Sequence, residues 1–112
     1  MGPDHLTPAE KGALERFVKA VRAEFGDRVE RLVLFGSRAR GEGHEESDVD
    51  VLVLVRGVTW QERYRIIDFA TDIWRDTWID ISPLVRTPED FAELERRELL
   101  IAEDINREGI PL

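Results

Sequence analysis

The sequence predicts one α/β (α+β) domain over residues 1–112, built from a small mixed β-sheet flanked by helices. The length of 112 residues is that of a single domain. Amphipathic helical patterns alternate with short apolar runs, which is typical of helices packed on a sheet. One polar motif follows the first apolar run, and a second polar motif begins the second apolar run. The two motifs can form one site only if these two strands are antiparallel.

The first helix is predicted from residues 7–10, Thr-Pro-Ala-Glu, which form a capping box with proline at the first helical position. Apolar residues then recur at spacings of three and four until Gly26, where we expect the helix to end. We interpret this stripe as a core face rather than a docking face. Its members are Leu14, Phe17, Val18, Val21 and Phe25.

Two strands follow. Val29–Phe35 is apolar on both faces over its last four residues, as expected for a strand covered on both sides. The second strand, Asp48–Val55, alternates strictly and places Asp48 and Asp50 on the same face. The loop between the strands is expected to open with a short helix and to be solvated rather than metal-binding further on. Its polar residues there are Glu42, His44, Glu45 and Glu46.

Thr59 is expected to cap a helix that runs to about Arg75. We interpret most of its broad apolar face as core. Stacking of Trp60, Tyr64 and Trp78 on a nucleotide base is the alternative. The apolar positions of this helix are Trp60, Tyr64, Ile66, Ile67, Phe69, Ala70, Ile73 and Trp74.

A third short strand is predicted over Trp78–Ser82, with Pro83 limiting pairing beyond it. Thr87 and Pro88 then begin a final helical region that ends before Gly109. Its apolar phase slips around residues 95–98, which predicts a break or two helices. The residues available for burial in this region are Phe91, Leu94, Leu99, Ile101 and Ile105.

The composition limits the classes of function. A net charge of −8 argues against sequence-independent binding of nucleic acid, which depends on Lys and Arg. No apolar run is long enough for a membrane span, and the first residues do not resemble a signal peptide, so we expect a cytoplasmic protein without a membrane partner. Cysteine is absent, which excludes disulfides, thiolate metal sites and a cysteine nucleophile.

The residues between the first two strands predict a phosphate site beside a metal site. Gly36 permits a tight turn in which backbone amides approach an anion, and Ser37 adds a hydroxyl. Arg38 and Arg40 carry guanidinium groups suited to phosphate oxygens. Two carboxylates on one strand face repel each other unless a cation lies between them, and Mg²⁺ is the natural candidate because it is commonly shared between carboxylates and substrate phosphates.

The combined motif, Gly36-Ser37-x-x-Arg40-Gly41 followed by Ser47-Asp48-x-Asp50, resembles the signature of the DNA polymerase beta-type nucleotidyltransferase superfamily. Within it, the chain is most similar to the minimal nucleotidyltransferases, antitoxin-like partners of HEPN-type helical proteins. The resemblance covers roughly Val29 to the end. It implies the polymerase beta-like fold.

The resemblance also implies the reaction. A nucleoside monophosphate, in the first instance AMP from ATP, would pass to a hydroxyl acceptor by a two-metal mechanism. Asp48 and Asp50 would hold two Mg²⁺ ions. Asp80, an acid within an apolar segment, matches the position of the third catalytic acid and would complete the acceptor-side metal site. Gly36, Ser37, Arg38 and Arg40 would bind the nucleotide, with Arg38 the weakest candidate of the four.

These assignments fix the strand directions and leave the acceptor open. The first two strands should be antiparallel and the third parallel to the second, joined by a right-handed helical crossover. The resemblance implies a tyrosine of a HEPN-type toxin as acceptor. A module that neutralises its partner by contact alone and transfer to a small molecule are the alternatives, and both a homodimer and a partner complex remain open.

Overall fold

The computed structural model describes residues 6–41 and 48–112, and it confirms the predicted class, a mixed sheet flanked by helices. The loop residues Glu42, His44, Glu45 and Glu46 and the motif residue Ser47 lie outside the described residues. The elements in chain order are α1 (Pro8–Phe25), a 3-10 turn (Gly26–Arg28), β1 (Val29–Phe35), α2 (Ser37–Arg40), β2 (Val49–Val55), α3 (Trp60–Thr77), β3 (Ile81–Arg86), α4 (Pro88–Arg96), α5 (Leu100–Glu108) and β4 (Ile110–Pro111).

The sheet has the order β3-β2-β1-β4. As predicted, β1 and β2 are antiparallel, with Phe35 opposite Asp50, and β2 and β3 are parallel, with Val49 opposite Ile81. The two-residue strand β4 pairs antiparallel with β1 and was not predicted, because a segment this short carries no alternation.

Each face of the sheet is covered by two helices. The valines of β2 pack with α1 and α3 in one cluster, in which Phe17, Val21, Ile66 and Ile73 are fully buried. The opposite face packs Leu52 and Leu54 against α4 and α5 in a second cluster. The predicted core stripe of α1 is therefore confirmed, with Val18 only partly buried.

The helix starts are where the caps predicted them. Thr7 and Thr59 each accept a hydrogen bond from the backbone amide three residues on. Glu10 and Glu62 each accept one from the cap amide, which completes two capping boxes. Thr87 caps α4 in the same way. The predicted break in the last helical region follows Arg96. Leu99 and Ile101, which we expected to be available for burial, are exposed.

The predicted bounds of the third strand are wrong. Helix α3 continues to Thr77, and Trp78 terminates it in the left-handed conformation (φ 63°), so pairing with β2 starts only at Ile81. The strand then continues through Pro83 to Arg86. Proline is tolerated there because β3 is an edge strand, where one missing N–H need not remove a bond of the ladder.

The interpretation of the α3 aromatics as core is also wrong. Ile66, Ala70 and Ile73 are buried as expected, but Trp60, Tyr64, Ile67 and Trp74 are exposed. A helix that packs one side on a sheet buries only one apolar stripe, and the sequence of α3 contains two such stripes.

Within residues 6–41 and 48–112, none of the helices combines the length and the apolarity that crossing a bilayer requires.

A surface ion pair ties the start of α3 to the turn before β1. Arg28 donates to both carboxylate oxygens of Glu62, at 2.9 and 2.8 Å, and also to the backbone carbonyls of Arg56 and Gly57. The hydrogen bonds from Arg28 and from the Thr59 amide lower the pKa of Glu62 to about 2. Glu62 is therefore charged throughout the neutral range.

We expect this pair to make stability depend on acid pH. Because the native pKa of Glu62 lies below its value of 4.5 in the unfolded chain, its stabilisation is complete above pH 4.5 and is lost as the pH falls toward 2. Glu62→Gln should thus lower Tm at pH 7, and the difference from wild type should shrink below pH 4.5. Glu15→Gln, on the exposed side of α1, is the control and should show a small difference at every pH.

Candidate functional site

Asp48 and Asp80 are brought together by the parallel pairing of β2 and β3. Each precedes the first residue of its strand, and Val49 and Ile81, which follow them, are partners in the register. The Val49 amide donates to the Asp80 carbonyl at 2.9 Å, and the two carboxyl groups share a side-chain hydrogen bond. The structure thus places the predicted third acid beside the first.

Asp50 faces the turn after β1. It lies opposite Phe35 in the antiparallel register, so its carboxylate is next to Gly36. A Cβ on Gly36 would lie 2.5 Å from Asp50 Oδ2, and the Gly36 φ of +80° is one that L side chains rarely adopt. Only glycine therefore fits at position 36.

The predicted short helix α2 follows directly. The carbonyl of Gly36 accepts from the amides of Ala39 and Arg40, and Gly41 closes the turn in the left-handed conformation. The Ser37 hydroxyl makes no hydrogen bond within the part of the chain that the structure describes. The Arg40 guanidinium pairs with Glu108 at 3.2 Å and remains one-third exposed.

The Arg38 side chain is buried against α1. It is 5% exposed and forms a buried ion pair with Glu10 of α1. Glu10 Oε1 also accepts the Thr7 amide at 2.8 Å, so one carboxylate both caps α1 and neutralises Arg38. Arg38 Nε has no hydrogen-bond partner among the described residues.

The pairing of Arg38 with Glu10 was missed by the sequence reasoning. Glu10 was explained fully as a cap, and no pattern links it to a residue 28 positions later. A role for Arg38 in nucleotide binding stays a prediction.

A cavity of about 350 Å³ opens beside the Asp48 and Asp80 carboxylates. It lies between the second half of α3 and the start of β3, on the side of β2 away from Gly36. Asp50 does not line it. The remaining lining residues, none of which was predicted to belong to the site, are Ile67, Ala70, Thr71, Trp74, Ile81, Ser82 and Pro83.

The three carboxylates disfavour one another's charge. Partial burial raises the pKa of Asp50, and the charges of Asp48 and Asp80 raise it further. Burial likewise raises the pKa of Asp80, with Asp48 as the second cause. None of the ion pairs found in the described part of the chain includes any of the three. The cluster therefore favours a cation.

Residues 48, 50 and 80 fit Mg²⁺ in donor type, because Mg²⁺ prefers oxygen ligands. Among residues 6–41 and 48–112, no three histidine, aspartate or glutamate side chains converge closely enough to hold an ion by themselves. Mg²⁺ usually binds one or two carboxylates together with water and substrate phosphates. The arrangement accordingly fits an ion whose coordination is completed by a nucleotide.

The sequence matches the family model of the nucleotidyltransferase domain over residues 14–106. A candidate protein adenylyltransferase of Methanocaldococcus jannaschii is 41% identical over 73 residues, which cover 64% of this chain and 74% of that protein.

Two solved structures share the fold. One, described as a candidate minimal nucleotidyltransferase, is 26% identical with a TM-score of 0.58, and the match covers 100% of this chain and 97% of that chain. The other, a toxin–antitoxin structure with AMP-PNP, is 17% identical with a TM-score of 0.57, covering 87% and 70% of the two chains.

The contact between Gly36 and Asp50 can be tested by adding a methyl group. Gly36→Ala should lower stability by more than the ~1–2 kcal/mol of left-handed strain, because the new Cβ must also displace the Asp50 carboxylate. Gly57→Ala is the matched control, since Gly57 has a φ of +63° but no atom within 4 Å of its Cβ position. Urea denaturation should show a loss of stability in both variants and a clearly larger loss in Gly36→Ala. Equal losses would contradict the close contact between Gly36 and Asp50.

The buried ion pair of Glu10 and Arg38 should contribute far more to stability than the surface ion pair of Glu62 and Arg28. Glu10→Ala leaves Arg38 charged and buried and should cost about 3–5 kcal/mol of unfolding free energy. Glu62→Ala removes the same capping-box position and the same kind of arginine partner at an exposed site, and should cost about 1 kcal/mol. The measurement is urea denaturation of both variants, and similar losses would show that burial of Arg38 contributes little.

Proposed function

The chain belongs to the nucleotidyltransferase domain family, as a minimal nucleotidyltransferase, and we propose that it transfers a nucleoside monophosphate to a hydroxyl group. The donor we propose is ATP and the product an adenylylated protein. The observation that carries the proposal is the placement of Asp48 and Asp80 side by side at the starts of β2 and β3, with Asp50 of β2 beside the turn of Gly36 and Ser37.

In the proposed reaction, an acceptor hydroxyl attacks the α-phosphorus of ATP. A new P–O bond forms, the bond to the β-phosphate breaks, and pyrophosphate leaves. Gly36 lets the backbone approach the β and γ phosphates, Ser37 supplies a hydroxyl donor, and Arg40 supplies positive charge at the end of α2. These groups orient the triphosphate so that its α-phosphorus lies toward the carboxylates.

Asp48 and Asp50 would hold Mg²⁺ with the triphosphate, which when bound neutralises the charge on the transferred phosphate and on the leaving group. Asp80 lines the cavity on the far side of β2 from Gly36, which suits an acceptor arriving opposite the phosphates. From this position Asp80 would complete the acceptor side of the metal site and favour loss of the hydroxyl proton.

For the acceptor we propose a tyrosine of a HEPN-type helical toxin, with the present chain as its antitoxin. The Methanocaldococcus jannaschii relative is named a candidate protein adenylyltransferase, and a structure of the same fold is that of a toxin–antitoxin with AMP-PNP. Both support a nucleotide donor and a protein acceptor.

Nucleotide binding provides the first test. ATP should bind with Mg²⁺ and much more weakly without it, and Asp48→Asn/Asp50→Asn should abolish binding, as measured by isothermal titration against ATP, CTP, GTP and UTP. Asp72→Asn/Asp76→Asn changes the charge equally on the exposed face of α3 and should bind as wild type does. Absence of any nucleotide binding would favour a module that neutralises its partner by contact.

Transfer can then be followed with ATP labelled at the α-phosphate and the purified product of the adjacent gene, because chains of the family that this one resembles are often encoded beside their HEPN-type partner. Label should appear on a tyrosine of that protein, and mass spectrometry should locate it. In Asp80→Asn the rate should fall by about 10²-fold or more, the usual contribution of a positioned proton acceptor, while ATP binding persists. If an enzyme that binds ATP and Mg²⁺ leaves the protein unlabelled, the acceptor assignment is wrong.

A further inference from the structure

Helix α3 carries a second apolar stripe that no other part of the described structure covers. Trp60, Tyr64 and Trp78 are 66%, 61% and 77% exposed, and Ile67 and Trp74 are each 42% exposed. The rings form two edge-to-face pairs, Trp60 with Tyr64 at 5.9 Å and Trp74 with Trp78 at 4.9 Å between centroids. These five residues are called the α3 aromatic face below.

The spacing of this face is that of a helix-packing seam. Together with Thr71, its residues follow one another at intervals of 4, 3, 4, 3 and 4. This is the a/d pattern with which a helix receives the side chains of a second helix. The seam is separate from the core stripe, since Ile66, Ala70 and Ile73 already pack the helix on the sheet.

The seam leads to the carboxylates. Ile67 and Trp74 form part of the wall of the cavity that contains Asp48 and Asp80. Toward the start of α3, Ile67 also lines a groove of about 310 Å³ with Trp60, Arg63 and Tyr64. A helix lying along α3 would therefore pass directly over the cavity and could extend one side chain into it.

The area of the face suits a protein partner. Large aromatic side chains each bury about 150–250 Å², so the exposed parts of these residues amount to roughly 500 Å². A standard interface buries about 800 Å² on each partner, most of which this face could supply. Isolated exposed aromatic residues would need no such explanation, but a continuous face of this size marks an interaction site.

We propose that the α3 aromatic face docks an amphipathic α-helix of the acceptor protein and so delivers the hydroxyl to Asp80. This inference rests on the proposed function. A second copy of the chain fits less well, because each copy has a net charge of −8. In a dimer with antiparallel α3 helices, Asp68 of one copy would also lie beside Asp68 of the other. The same charge complements a helix with Lys or Arg beside its apolar stripe.

The experiment uses the full chain and the purified product of the adjacent gene as the probe. Trp60→Ala/Tyr64→Ala removes the end of the face that lies outside the carboxylate cavity. We expect its complex with the probe to weaken by about 30-fold or more, as for interface hot spots, and label transfer at subsaturating probe to fall with it. Tm should be unchanged, because both side chains are exposed. Mg²⁺-dependent ATP binding should also be unchanged, and its loss would show that these rings stack on the nucleotide base, which overturns the inference.

Leu100→Ala is the matched control, since Leu100 is 72% exposed but lies on α5; it should leave the complex intact. An undiminished complex in Trp60→Ala/Tyr64→Ala, or an equal loss in Leu100→Ala, would overturn the inference. The inference would also be overturned if light scattering showed that the wild type is a dimer and that Trp60→Ala/Tyr64→Ala dissociates it. If the complex depends on the face but wild type binds no ATP, docking is supported and the proposed reaction fails.

Discussion

The register of β2 between its two neighbours is the constraint on which the site depends. Antiparallel pairing with β1 sets Asp50 beside the turn at Gly36, and parallel pairing with β3 sets Asp48 beside Asp80. A shift of one residue would exchange the two faces of β2, so that its valines would leave the α1–α3 cluster for the α4–α5 cluster and Asp50 would leave Gly36. The packing of both clusters therefore holds the register in place.

This rigidity is what allows three mutually repelling carboxylates to remain together. Burial and neighbouring charge raise the pKa of Asp50 and Asp80, so the cluster works against the stability of the fold that contains it. Two layers of helices on the two faces of the sheet offset this cost. Binding of a cation with its nucleotide would relieve the repulsion, which couples substrate binding to the stability of the sheet edge.

Two ion pairs also hold the helix α2 that follows the turn at Gly36. Arg38 extends away from the carboxylates into a buried pair with Glu10, which joins the start of α1 to α2. Arg40 joins the other side of α2 to the end of α5 through Glu108. The two arginines predicted as phosphate ligands, of which Arg38 was the weaker candidate, thus have different surroundings. Arg38 is buried against α1 and Arg40 is partly exposed beside α5.

Local signals were enough to predict the capping boxes at Thr7 and Thr59 and the alternation of β2, and the motif residues Gly36, Asp50 and Asp80 predicted the strand directions. The packed fold was needed to show which of two apolar stripes on α3 is core, where β3 begins, and that Glu10 faces Arg38. The reason is physical. Hydrogen bonding and side-chain period are properties of a few adjacent residues, whereas burial and ion pairing depend on which distant surface a residue meets, and that is settled only when the layers pack.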